Sequence, residues 1–205
     1  MSQAPAADTA EFALPAKQAR SRATRNALIA AGLRLVEERD FDALSIAEIA
    51  AAAGCSVGAF YFRFADKDAY FRALIAATVD DGAALFEALE ATPADGLVGR
   101  LVALTLKSYR RRRGLLRAAI RASMRDPSVW EPLKARGHAI ADAVVGKLAG
   151  SGAGRRQREA RIRFALQALY GTLNNAILLA PGPLQLGDAA LEAELRRMFE
   201  RIVAV

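Results

Sequence analysis

Apolar residues recur at three- and four-residue spacing along almost the whole chain, and no run alternates apolar and polar residues at period two. Such a pattern puts an apolar stripe on one side of a helix and offers a strand nothing to bury, so the fold class it predicts is all-α. Composition points the same way. Hydrophobic residues make up 53% of the 205, with alanine the commonest, while aromatics reach only 7%, a balance that favours helix over sheet.

Clusters of Gly, Pro, Asp and Ser cut the pattern into about nine helices. They are expected near residues 22–39, 46–52, 57–62, 67–89 (bent near Asp80, Asp81 and Gly82), 95–113, 115–125, 127–148, 155–179 and 188–203. Glycine ends helices through its left-handed freedom, and proline through its missing amide. Gly54, Gly114, the glycine run 150–154 and Pro181-Gly182-Pro183 are the expected breakers, and Asp40 is the expected left-handed exit from the first helix. Residues 1–19 lack periodicity and read as a disordered leader, 20–66 as one small helical domain, and 67–205 as a second helical bundle.

The span 45–62 has the form of a helix-turn-helix. Ser45 with Glu48 three residues on is a capping box, Ser56 caps the following helix, and Ala50, Ala53 and Gly54 are small enough for two helices to cross closely. Gly58 keeps the front of the second helix slim, as entry into a groove about 12 Å wide requires.

Here the chain resembles the TetR family of regulators. The matching residues are Thr24-Arg25, Leu28-Ile29, Phe41, Ser45-Ile46, Ile49-Ala50, Ala53-Gly54, Ser56, Gly58, Tyr61, Phe64 and Lys67, in one register without gaps. Asp40, Cys55, Gly32 and Arg63 depart from the family's usual residues, without removing a cap or a core position. The resemblance implies that Ser45 and Lys67 hold phosphates on either side of the groove and that Tyr61 offers its hydroxyl to another. It places Ser56, Val57, Ala59, Phe60 and Phe62 on or beside the base edges, with Phe60 either among them or turned inward. Few of these side chains are polar, so reading would lean on thymine methyls and duplex shape. Lys17, Arg20, Arg22 and Arg25 extend the phosphate or minor-groove contact.

In the second domain, the helix from Arg155 has a large apolar stripe and a small one. Ala168, Gly171, Thr172 and Asn175 form the small stripe, and Leu191, Leu195, Met198 and Ile202 of the last helix form a neighbouring seam. The resemblance makes these a homodimer interface; two helices buried inside one subunit are the alternative reading of the same spacing. Tyr109, Met124, Trp130, His138, Phe164 and Tyr170 are the candidate pocket residues. The family's usual behaviour implies a repressor that binds a palindromic double-stranded DNA operator as a dimer and is released by a small-molecule effector.

Charge narrows the partners. The chain carries a net +7, but residues 17–72 hold only +2, and 100–163 hold +13. That excess reads as solvated helix ends, as selection of an anionic effector, or as a field acting on the DNA-binding domain. The rival function is an arginine-rich interaction protein that binds RNA or anionic membrane surfaces. One histidine and one cysteine, Cys55, rule out a metal cluster or internal disulfide, and no phosphate loop or nucleophile elbow is present, so neither enzyme nor cofactor is expected. No apolar run reaches the ~18 residues of a membrane span and no secretory leader is evident, so a cytoplasmic location is expected.

Overall fold

The computed structural model describes residues 13–80 and 83–204, with the side chains of 13–17 and 83 excepted. Among them are ten α-helices, two 3-10 turns and no strand, so the protein is all-α. The chain divides into two compact units, Met1–Ala73 and Leu74–Val205. No helix among the described residues is long and apolar enough to cross a membrane.

In the first unit, α1 (Ala13–Glu38) starts well before residue 22 and takes in the end of the stretch expected to be disordered. Pro15 falls in its first turn, where a missing amide forfeits no intrahelical bond. Residues 1–12 lie outside the described residues. The exit from α1 differs from expectation: Asp40 is extended, at φ −59° and ψ 133°, and leads into a 3-10 turn, Phe41–Ala43. Then come α2 (Ile46–Ala52), α3 (Val57–Tyr61) and α4 (Lys67–Asp80). Gly54, at φ +67°, makes the left-handed turn after α2. Asp66 accepts the amide of Ala69 at 2.7 Å and so caps α4.

The core of this unit is aromatic. Phe60, Phe64 and Tyr70 lie within 5.0–5.4 Å of one another by ring centroid. Tyr70 is fully buried, and its hydroxyl donates to the Leu28 carbonyl at 2.7 Å. A hydroxyl so placed needs a partner, and burial pushes its pKa far above the usual phenol value.

The second unit holds the end of α4 and α5 (Ala83–Glu90), α6 (Ala94–Arg111), α7 (Arg113–Ser123), α8 (Glu131–Leu148), α9 (Arg155–Leu178) and α10 (Ala189–Ala204). The 67–89 segment, expected as one bent helix, becomes α4 and α5; Asp81 and Gly82 lie outside the described residues. The break between α6 and α7 falls at Arg112, at φ −122° and ψ 26°, while Gly114 is buried inside α7. A 3-10 turn, Pro127–Val129, precedes α8, with Asp126 accepting the Ser128 amide at 3.0 Å. Gly150, Gly152 and Gly154 are all left-handed. Leu101, Ile162, Leu169, Leu173 and Phe199 are wholly buried at the centre of this unit.

Many cations of this unit serve its own carbonyls. Lys147 donates to Leu89, Glu90 and Thr92 at the end of α5, Arg158 to Ala149 and Ser151 in the glycine loop, and Arg110 to Leu186 and Asp188. Orphan carbonyls at helix ends are natural partners for positive charge.

Candidate nucleic-acid interface and buried cavity

The α2 and α3 pair is built from contacts three residues long. Ser45 accepts the Glu48 amide at 3.2 Å while the Glu48 carboxylate takes the Ser45 amide at 2.8 Å, which closes the capping box. The same carboxylate receives Arg39 at 2.7 Å. Its pKa falls to about 2, chiefly through the Ser45 amide and then Arg39. The Ser45 hydroxyl also donates to Glu48 at 2.7 Å, so what this end of α2 has left for a phosphate is the amides of its first turn. Ser56 caps α3 by accepting the Ala59 amide at 3.1 Å.

Ser56, Val57, Gly58, Tyr61 and Phe62 stand exposed on one side of α3 and its ends, with Ala59 half-buried. Phe62 is 78% exposed. Phe60 is the exception and a correction to the expected base-reading set: it is wholly buried, because the aromatic core claims the opposite face of the same helix. A Cβ added at Gly58 would meet only the Ser56 hydroxyl, at 3.8 Å. Nothing in the unit itself therefore calls for glycine there.

Flanking charge comes from Arg22 and Arg25, both exposed on α1. Arg20 is exposed as well, and the side chain of Lys17 lies outside the described residues. Lys67 is half-buried; its ammonium donates to the Asp42 carbonyl at 2.9 Å and sits 4.8 Å from the Phe41 ring centroid. Arg63, read in the sequence only as a departure from the family pattern, bonds Ala59 at 2.7 Å and Ser21 at 3.3 Å and so ties α3 to α1.

On α9, Gly171, Thr172 and Asn175 are exposed and Ala168 half-buried, so the small stripe faces outward. A Cβ at Gly171 would meet nothing within 4 Å. The seam expected on α10 is corrected in part. Leu191 and Leu195 are buried within their own unit, where Phe199 continues their stripe at four-residue spacing, and only Met198 and Ile202 keep partial exposure.

A cavity of about 540 Å³ opens among α6, α7, α8 and α9. Four of the six expected pocket residues line it: Tyr109, Trp130, His138 and Tyr170. Met124 and Phe164 do not. They are 82% and 57% exposed, because each points away from the apolar stripe of its helix.

The sequence reading missed Arg136 and Asn174. Asn174 accepts the Tyr109 hydroxyl at 2.7 Å, and Arg136 donates to the Thr78 carbonyl at 3.0 Å. A signal for Arg136 did exist: it lies three residues after Leu133 and four before Ile140, on the buried side of α8. Burial lowers its pKa and raises that of Tyr170 to about 12. The Tyr170 hydroxyl is buried without a hydrogen-bond partner among the described residues.

Residues 28–74 match the signature described as "Bacterial regulatory proteins, tetR family". A comparison with curated proteins found no match. Among solved structures, a tetR-family transcriptional regulator from Streptomyces coelicolor superposes with a TM-score of 0.69 at 22% identity, over 88% of this chain and 82% of that one. A putative TetR-family regulator from Mesorhizobium loti gives 0.66 at 18%, over 90% and 97%. Salmonella enterica GusR gives 0.63 at 23%, over 89% and 96%. The unit that holds α2 and α3 thus carries the TetR-family signature, and the chain shares the fold of TetR-family transcriptional regulators along most of its length.

Proposed function

We propose that this protein is a dimeric DNA-binding regulator, a repressor that grips a palindromic operator with α3 and releases it when a small molecule enters the α6–α9 cavity. The observation that carries this reading is the outward face of α3. Val57, Tyr61 and Phe62 expose apolar area that folding would otherwise hide, beside a glycine that leaves room for a close neighbour. Each exposed square ångström forgoes about 25 cal/mol of burial, so such a face serves something that docks on it. Thymine methyls and the groove wall offer matching apolar contact. Ser45, Ser56, Tyr61, Lys67, Arg22 and Arg25 supply the phosphate grip around it.

The net +2 of residues 17–72 is modest for one copy. Pairing doubles the phosphate contacts and sets two copies of α3 about 34 Å apart, or a multiple of it, as a palindrome requires. Ala168, Gly171, Thr172 and Asn175, with Met198 and Ile202, form the face we assign to the partner subunit. An RNA- or membrane-binding role draws less support, since Arg110, Arg136 and Arg158 are engaged with carbonyls and Arg163 with Asp142 and Glu159.

Selection of duplexes from a random library with purified protein tests the proposal. An enriched palindrome that two copies occupy is expected. A strictly monomeric protein with no preference over random competitor at moderate salt would falsify it.

A further inference from the structure

We propose that the cavity of the second unit takes a monoanionic carboxylic acid with an apolar body, its carboxylate held by the Arg136 guanidinium and the Tyr170 hydroxyl. This rests on the effector-responsive reading above and adds the chemistry of the effector. Arg136 lines the cavity, half-buried, and its charge interacts with both Tyr109 and Tyr170. It donates to the Thr78 carbonyl, yet no carboxylate lies within ion-pair distance of it among the described residues. Arginine stays charged in proteins, and a charge withdrawn from water without a counter-charge is costly. An anion entering the cavity relieves that cost, and the four remaining guanidinium N–H groups match a carboxylate's two oxygens.

Tyr170 adds the second donor. Tyr109 nearby is satisfied by Asn174, whereas Tyr170, on the same wall, buries a hydroxyl that has no hydrogen-bond partner among the described residues. An orphaned buried hydroxyl forfeits about 1–3 kcal/mol, so a ligand oxygen there is favoured.

The rest of the wall limits the ligand to one negative charge. Lys134 and Arg163, the other cations on it, are exposed and already paired, Lys134 with Glu131 and Arg163 with Asp142 and Glu159. Leu116, Leu133, Ile140 and Leu166 with Trp130 supply apolar wall, and Gln167 and Asn174 add polar groups that carry no charge. At about 540 Å³ the volume suits an acid of moderate size; a polyphosphate or nucleotide thioester brings charges that these walls do not meet. Through Thr78 the same guanidinium is bonded to α4, the helix that also contributes Lys67–Ala73 to the first unit.

Calorimetry on the full-length protein tests this with 2-naphthoate and octanoate against their neutral twins, 2-naphthamide and octanamide. At least one acid is expected to bind about tenfold or more tightly than its amide, the difference that a charge-assisted pair supplies. Arg136→Gln should abolish that preference, Arg136→Lys should restore part of it, and Tyr170→Phe should weaken the acid several-fold. A second cavity of about 260 Å³ shares Arg136 with the first, and the double variant Arg100→Gln, Lys107→Gln on its wall should change nothing.

Amides that equal their acids overturn the proposal, as does a folded Arg136→Gln protein that keeps full acid affinity, or loss of binding in the double variant. Neither acid binding at millimolar concentration, while an enriched duplex still binds, overturns this inference and leaves the regulator reading intact. Arg136-dependent acid binding without any duplex preference supports the site and removes the regulator reading instead.

Discussion

The exposed face of α3 and the cavity of the second unit carry their polar and apolar groups in opposite places. On α3 the apolar side chains Val57, Tyr61 and Phe62 face outward, while Ser45, Glu48 and Ser56 satisfy polar groups within three residues. Around the cavity Arg136, Tyr109 and Tyr170 are drawn in among apolar residues, and the bonds that hold the first two run far along the chain. Tyr109 reaches Asn174 across 65 residues and Arg136 reaches Thr78 across 58. The contrast teaches that an exposed surface can be assembled from local contacts, whereas a cavity needs distant elements brought together.

The sharpest test of the contrast sets two neighbours on one helix apart. Phe60→Ala removes a wholly buried ring and should cost the first unit about 3–5 kcal/mol in urea unfolding. Phe62→Ala, at a mostly exposed position, should stay within about 0.5 kcal/mol of the parent, yet lose affinity for an enriched duplex. Equal effects of the two on stability would mean that the helix has no inner and outer side.

The two glycines come next. Gly54→Ala forces a side chain into the left-handed turn and should destabilise by about 1–2 kcal/mol. Gly58→Ala should leave thermal stability unchanged or raise it by up to about 1 kcal/mol, since a Cβ there meets only the Ser56 hydroxyl at 3.8 Å among the described residues. It should weaken duplex binding if that face docks on the groove as proposed. A Gly58→Ala protein that binds DNA normally would break the assignment of that face.

In the cavity, Tyr109→Phe deletes a made hydrogen bond and should cost about 1 kcal/mol. Tyr170→Phe deletes a buried hydroxyl with no hydrogen-bond partner among the described residues and should leave folding unharmed or stabilise it by up to about 1–3 kcal/mol. Comparable losses from both would show that Tyr170 has a structural partner.

The smallest effect concerns Glu48. Its folded pKa is depressed to about 2 from 4.5, so its stabilising contribution is complete above about pH 4.5 and is lost as pH falls through about 2. Glu48→Gln should therefore be less stable than the parent at neutral pH, with the gap closing across that acid window. A gap that stayed constant with pH would place the effect outside the capping box.

Local chemistry made much of this protein legible before its structure. Ser45 with Glu48, Ser56 and Gly54 announce where α2 and α3 begin and end, because caps and left-handed turns act over one to four residues. The same locality explains two misplacements. Gly114 had the chemistry of a breaker, but the buried face of α7 absorbed it and the turn moved to Arg112. Leu191 and Leu195 lay on a plausible outward seam, but together with Phe199 they fill the core of their own unit.

What the amino-acid order determined by itself is the all-α class, the helix boundaries near their caps and the short capped pair that reads as a DNA-binding element, since propensity, periodicity and capping are short-range. Only the tertiary structure decided that Phe60 turns inward, that Leu191 and Leu195 are used within the subunit, and that Arg136, Tyr170 and Asn174 share one cavity. These follow from which helix packs on which, and pair residues tens of positions apart through burial that no local pattern encodes.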